Sequence, residues 1–232
     1  MTADSPSLQL PLTLPSDDEA SFDFFVAGSG FLDYLKTIAR GDNADWVWLQ
    51  GGEGRGKTHL LSAMSRAAGR PAGYLDAAVL KDAGPDCLQS LSGLELVLVD
   101  DFGQILGPLW EEAWFHQINR WRASGTQLVV ASDRRLRSHQ VQLPDLQSRL
   151  RMMVEVQIGP LESADHADLL QRRAAARGFP LDQAVVNYLL SRESRSARQL
   201  VLLLDRLGRE SLSAQRKLTV PFVRQVLSQQ AS

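Results

Sequence analysis

Cysteine is almost absent from this chain. Cys87 is the only one, so no internal disulfide can form, and without metal-binding or redox spacing around it the thiol reads as ordinary. A reducing, cytoplasmic setting is the expectation. No apolar run reaches the ~18 residues needed to cross a bilayer, and the polar first residues lack a charged-then-apolar signal pattern, so no membrane partner is expected. Neither sign of charge dominates, since 25 Lys and Arg face 27 Asp and Glu. Without a global positive field, phosphate backbones and anionic lipids are not default partners. Repeats and low-complexity tracts are also missing. His59, His116, His139 and His166 show neither i,i+4 pairing nor Cys neighbours, so no histidine-built metal site is expected.

What is present is enough for a substantial core. With 232 residues, 44% of them hydrophobic, the chain can form one large domain or two unequal ones. Residues 1–20 are rich in Ser, Pro and Asp, with alternating Leu8, Leu10, Leu12 and Leu14, and are expected to form an extended, flexible arm. From Asp45 the order is regular. An apolar strand at Trp46–Leu49 leads through a glycine loop into a helix with Leu60, Leu61, Met64 and Ala67 at helical spacing. Further strands are predicted at 73–75, 96–99, 127–131 and 154–158, alternating with amphipathic segments, the clearest at Leu109–Trp121. After Gly159-Pro160 only helices are predicted, at 164–177, 181–191, 197–207 and 220–227. The fold class is therefore α/β: a parallel-sheet nucleotide-binding domain over 21–160, followed by a small all-helical domain over 161–232. Trp46, Trp48, Trp110, Trp114 and Trp121 fall on element faces and read as core or interface, not as a base-stacking platform.

Gly51-Gly52-Glu53-Gly54-Arg55-Gly56-Lys57-Thr58 satisfies the phosphate-loop pattern G-x-x-x-x-G-K-[ST], between a predicted strand and a predicted helix as the motif requires. Glycines let successive amides turn toward a β-phosphate, the helix N-terminus adds its dipole, and Lys57 neutralises phosphate oxygens. With the following His59, these residues are the expected cradle for ADP or ATP. Thr58 is the expected Mg²⁺ ligand. Leu96-Val97-Leu98-Val99-Asp100-Asp101 is an apolar strand ending in two acids, the Walker B arrangement. Asp100 is expected to hold Mg²⁺ through water and Asp101 to polarise an attacking water, although a paired acid there could instead cap the next segment.

The phosphate loop, Val99-Asp100-Asp101-Phe102, Leu128-Val129-Val130-Ala131-Ser132-Asp133-Arg134 and Leu146-Gln147-Ser148-Arg149-Leu150 together resemble the core of DnaA-type AAA+ proteins, with four motifs in the same order. The resemblance spans roughly residues 21–230. It implies an AAA+ core with a helical lid, and it makes Ser132-Asp133 the γ-phosphate sensor, though Ser132 could equally cap its turn. It makes Arg149 an arginine finger acting on a neighbouring subunit's nucleotide. Ser196-Ala197-Arg198-Gln199-Leu200 resembles the second sensor, with Arg198 on the phosphates and Arg195 as its competitor. Ser21 to Gly28 resembles the adenine-lining segment, giving roles to Phe25 and Val26 that ordinary core packing would explain equally well.

DnaA initiators continue into a helix-turn-helix domain. This sequence shows none after the helical segment, so direct sequence-specific DNA binding is not expected, and it is similar to the Hda branch, the regulatory inactivators of DnaA. Gln9-Leu10-Pro11-Leu12-Thr13-Leu14 fits the clamp-binding pattern Q-L-x-L-x-L, with Gln9, Leu10, Leu12 and Leu14 as contact residues. The resemblance thus implies two partners, DnaA and the DNA polymerase III sliding clamp, and an activity in trans on DnaA-bound ATP. Hda phosphate loops can be degenerate, whereas Lys57-Thr58 is intact here, which leaves open whether the protein turns over ATP itself. Two other readings stay open: a self-contained AAA+ ATPase such as a helicase loader, and a non-catalytic replication adaptor. Self-association and the resting nucleotide are not legible in the sequence.

Overall fold

A computed structural model describes residues 20–26, 29–191 and 196–228. The clamp-binding pattern at Gln9 to Leu14 and the competitor Arg195 lie outside the described residues. By compactness the chain forms two units. Among the described residues, one holds residues 20–22, 29–53 and 57–158, and the other gathers residues 23–26, 54–56, 159–191 and 196–228.

The first unit is an α/β layer structure. Strands β1 (Val47–Gln50), β2 (Ala72–Asp76), β3 (Leu96–Asp100), β4 (Gln127–Ser132) and β5 (Val154–Gln157) form one parallel sheet in the order β2-β3-β4-β1-β5. The central β3 and β4 are buried at every position, and their unbroken apolar runs are what a parallel sheet covered on both faces demands. Helix α1 (Ser29–Arg40) precedes the sheet, and α2 (Lys57–Ala67), α3 (Ala77–Ala83), α4 (Pro108–Ser124) and α5 (Pro144–Leu150) lie between its strands. Five strands and the long α4 fall where the sequence places them; α3 and α5 fall among the helical segments expected between strands without given bounds, and α1 was not anticipated.

Helix α4 shows why the sheet is rigid beneath the site. Trp110, Trp114 and Trp121 recur along one stripe and are all buried. Trp114 packs edge-on against Phe102 at 4.8 Å, and Phe102 against Trp48 of β1 at 5.7 Å, each pair adding ~1 kcal/mol beyond simple burial. Two of the indole nitrogens are satisfied, Trp114 donating to the Ile105 carbonyl at 2.9 Å and Trp48 to that of Arg134 at 3.1 Å.

The second unit is helical: α6 (Ser163–Ala176), α7 (Gln183–Ser191), α8 (Ala197–Ala214) and α9 (Val220–Ser228). Leu170, Val186, Leu204 and Val223 are fully buried at its centre. Helix α8 opens with a capping box, Ser196 Oγ accepting from Gln199 N at 3.3 Å and Gln199 Oε1 accepting from Ser196 N at 3.1 Å, which satisfies two otherwise unpaired amides. Among the described residues, no helix is long and apolar enough to cross a membrane.

Candidate functional site

In an open parallel sheet the ligand crevice lies beyond the carboxyl ends of the strands. In the first unit the register brings Gln50 level with Ser132 and Asp76 level with Asp100 at that end. The loop leaving β1 is tied there, Gly51 N donating to the Ser132 carbonyl at 3.1 Å. Helix α2 starts at Lys57, so its first turn points free amides and a positive dipole outward. Lys57 is 8% exposed, and its ammonium donates to the carbonyls of Gly51 at 2.8 Å and Gly52 at 3.2 Å.

Thr58 Oγ1 donates to Asp100 Oδ2 at 2.6 Å. A hydroxyl and a carboxylate held this close are hard oxygen donors of the kind Mg²⁺ takes beside phosphate oxygens, so the pair fits that ion. Among the described residues no group of three or more His, Cys, Asp or Glu could hold a metal. Asp100 is buried. Its Oδ1 accepts from Asp101 N at 3.0 Å, and its Oδ2 accepts a second hydroxyl, that of Tyr74, at 2.9 Å.

Asp101 takes a left-handed backbone, φ 50°, and its side chain makes no capping bond to the turn it starts. Burial, then the Asp100 charge, push its carboxyl above the usual range, with Lys57 opposing. A carboxyl so placed is better suited to exchanging a proton than an ordinary surface acid is.

Ser132 is fully buried. Its Oγ lies 3.0 Å from His139 Nε2 and accepts from Arg134 N at 3.3 Å, so the turn-capping role and a link to His139 are both present. Asp133 is exposed and pairs with Arg134 at 3.3 Å. His59 lies 2.8 Å from the Ser21 carbonyl.

In the second unit, Gly54 and Gly56 have φ +72° and +84°. A Cβ at Gly56 would sit 2.7 Å from the Phe25 ring, and one at Gly54 would sit 3.5 Å from Ser196 Cβ. Both positions are in the region that favours glycine. Phe25 and Val26 are buried. Arg198 is exposed on the first turn of α8.

Arg149 stands on the last turn of α5, in the first unit. Helix α5 is anchored from α4: the buried carboxylate of Glu111 accepts from Gln142 N at 3.0 Å and Leu143 N at 2.6 Å. Met152 N then bonds the Arg149 carbonyl at 3.2 Å, and Val154 N bonds the Trp46 carbonyl at 2.8 Å. Arg122, at the end of α4, stacks on the Trp46 ring at 4.9 Å. Burial, then the charge of Arg149, lower its pKa. Trp46, Arg122 and Val154 precede or begin strands β1, β4 and β5. Arg149 therefore lies toward the amino ends of the strands, whereas Thr58, Asp100 and Ser132 lie at the carboxyl ends.

Sequence reasoning passed over Tyr74, His139, Glu111 and Arg122. Only Tyr74 carried a usable signal, an aromatic hydroxyl two positions from the end of the strand that pairs with the Walker B strand.

Residues 163–227 match the family described as "Hda, lid domain". Among solved structures, domain III of the replication initiation protein DnaA from Thermotoga maritima is similar at TM-score 0.75 and 19% identity, over 93% of this chain and 98% of that one. AMPPCP-bound DnaA from Aquifex aeolicus is similar at TM-score 0.68 and 21% identity, over 86% and 70%. The RuvB Holliday junction branch migration motor from Thermotoga maritima is similar at TM-score 0.67 and 16% identity, over 90% and 71%. The fold is that of AAA+ proteins, a parallel α/β core followed by a helical lid.

Proposed function

We propose that this chain, an Hda/DnaA-like AAA+ protein by its lid and its fold, is an adenine-nucleotide-binding regulator that promotes hydrolysis of ATP held by DnaA while tethered to the DNA polymerase sliding clamp, and so restrains initiation of chromosome replication. The observation that carries this reading is the position of Arg149 away from the chain's own Thr58 and Asp100. An arginine placed toward the amino ends of the strands is poorly sited for the nucleotide of its own sheet, which leaves a neighbour's nucleotide as its target in this reading.

Its own nucleotide has a structural part in this scheme. The amides of the Gly51–Thr58 loop and the ammonium of Lys57 bind phosphate oxygens, and Thr58 with Asp100 holds Mg²⁺, which neutralises phosphate charge when bound. The assignment of Phe25 and Val26 to the base, and of Arg198 to phosphate, rests on resemblance alone. On the partner, the Arg149 guanidinium offers forked donors to the oxygens on which charge grows as the γ-phosphoryl group leaves. Glu111 holds the start of α5 and thereby fixes where that guanidinium is delivered. Clamp tethering is assigned to Gln9, Leu10, Leu12 and Leu14 by their pattern, an extended peptide whose leucines fill an apolar pocket.

One feature favours a second reading, an ATPase in its own right: an intact Lys57-Thr58 together with Asp101 directly after Asp100 at the end of β3. A single time course separates the two. The ATP bound to purified DnaA is followed with this protein, the clamp and DNA present, and with each omitted in turn. Loss of DnaA-bound ATP only in the complete mixture supports the regulator. Steady turnover by this protein alone, with DnaA-bound ATP unaffected, would replace it with the self-contained ATPase.

A further inference from the structure

We propose that Tyr74 is a positioning residue for Asp100, holding the Walker B carboxylate in its magnesium-ready orientation independently of the phosphate loop. The inference deepens the reading of Thr58 and Asp100 as a magnesium pair and rests on it.

The argument starts from strand geometry. Alternation on β2 puts Leu75 among the core residues beside Val97 and Val99 and turns Tyr74 to the other face of the sheet. Tyr74 is level with Leu98, and Asp100 lies two residues further along the paired strand. That offset is about 6.6 Å, a distance a tyrosine side chain spans and a serine or threonine does not. The hydroxyl accordingly meets Asp100 Oδ2 at 2.9 Å. Phenylalanine would fill the same buried space, so packing alone does not call for the oxygen.

Three donors from three places converge on this one carboxylate: Thr58 from α2, Tyr74 from β2, and the Asp101 amide. Their roles differ. The Thr58 oxygen must turn a lone pair to the metal and so changes its environment when nucleotide arrives. The Tyr74 hydroxyl belongs to β2, outside the phosphate loop, and takes no part in phosphate binding, so its hold on Oδ2 persists whether or not nucleotide is present. Partners that orient a metal's ligands in this way typically set affinity by about 10-fold to 100-fold.

The test is ADP binding by calorimetry across a magnesium titration and in EDTA, on wild type, Tyr74→Phe and Asp100→Asn, with thermal melts as the check of folding. Tyr74→Phe is expected to keep its EDTA-state ADP affinity and its melting temperature while needing roughly tenfold more Mg²⁺ for half-maximal enhancement. Para-aminophenylalanine at position 74, which restores a donor, is expected to return the wild-type response even if Tyr74→Phe is poorly folded. An unchanged magnesium response in Tyr74→Phe beside a shifted one in Asp100→Asn overturns the proposal and leaves the magnesium pair standing. Failure of the amine to rescue also overturns it. An unchanged response in Asp100→Asn removes the magnesium reading itself, and the role of Tyr74 with it.

Discussion

Thr58 and Asp100, 42 positions apart, share a 2.6 Å hydrogen bond that ties the first turn of α2 to the end of β3. Next to that bond Lys57 is buried, its ammonium held by the carbonyls of Gly51 and Gly52. Lys57→Ala removes the main counter-charge for phosphate, and charge-assisted bonds of this type contribute about 1.5–3 kcal/mol each. ADP affinity should therefore fall by at least tenfold with the fold intact. Calorimetry on a folded variant is the measurement, and an unchanged affinity would remove the phosphate-site assignment.

Gly56 tests the tip of the loop. Its φ of +84° costs an L-residue about 1–2 kcal/mol, and a Cβ would stand 2.7 Å from the Phe25 ring. Gly56→Ala should lower the melting temperature and weaken ADP binding. Adding Phe25→Leu should recover only the steric part, because the backbone strain remains. Full recovery in the double variant would show that the dihedral angle is immaterial.

The parts of this architecture that were legible in the sequence are those where one strong local signal suffices. Apolar runs marked β3 and β4, the glycine loop fixed β1 and α2 around it, and amphipathic periods marked the lid helices. Helices α3 and α5 have seven residues each, two turns at most, too few for a period to emerge. Helix α8 was expected to end at Leu207 but runs on to Ala214. Gly208 reads locally as a stop, yet its missing side chain makes room for the Phe179 ring, which a Cβ would meet at 3.0 Å. The same limit applied to the site. Motifs named Asp100, Ser132 and Arg149, but the side chains that meet them or their supports come from other elements: Tyr74 of β2 at Asp100, His139 of a loop at Ser132, and Glu111 of α4 at the start of α5. Such partners are set by tertiary register, which no local pattern encodes.

His139 gives a pH prediction with a definite sign. Burial lowers its pKa below the ordinary value, with Asp133 opposing and Arg134 assisting, and the ring meets Ser132 Oγ at 3.0 Å. A folded-state pKa below the unfolded value of about 6.5 means that the neutral ring's stability is fully present above 6.5. It is lost as pH falls through the lowered folded value, because the unfolded chain takes up the proton more readily. The wild-type melting temperature should thus drop more steeply than that of His139→Gln as pH falls below about 6.5. Comparing the two cancels the opposite contribution of Asp101, whose raised pKa acts in both. Parallel curves would show that the ring is not neutral in the fold.

Arg149 is the residue on which the proposed regulation turns. It lies beside Arg122, whose guanidinium stacks on Trp46 and already feels its charge. Two neighbouring cations repel, so removing one should cost no stability, and Arg149→Ala is expected to melt at or slightly above the wild-type temperature. Its distance from Thr58 and Asp100 predicts an unchanged ADP affinity. Its effect belongs on the partner: a finger supplied in trans contributes roughly 10³ to 10⁵ in rate in related nucleotide hydrolases, so most stimulation of hydrolysis on DnaA should disappear. Arg198→Ala should give the opposite profile, weakening the chain's own nucleotide binding first. The pair of variants thereby assigns the two arginines to different nucleotides. Measured stimulation by Arg149→Ala equal to wild type would leave recruitment alone as this protein's contribution, and loss of its own ADP instead would place Arg149 in cis and end the trans mechanism.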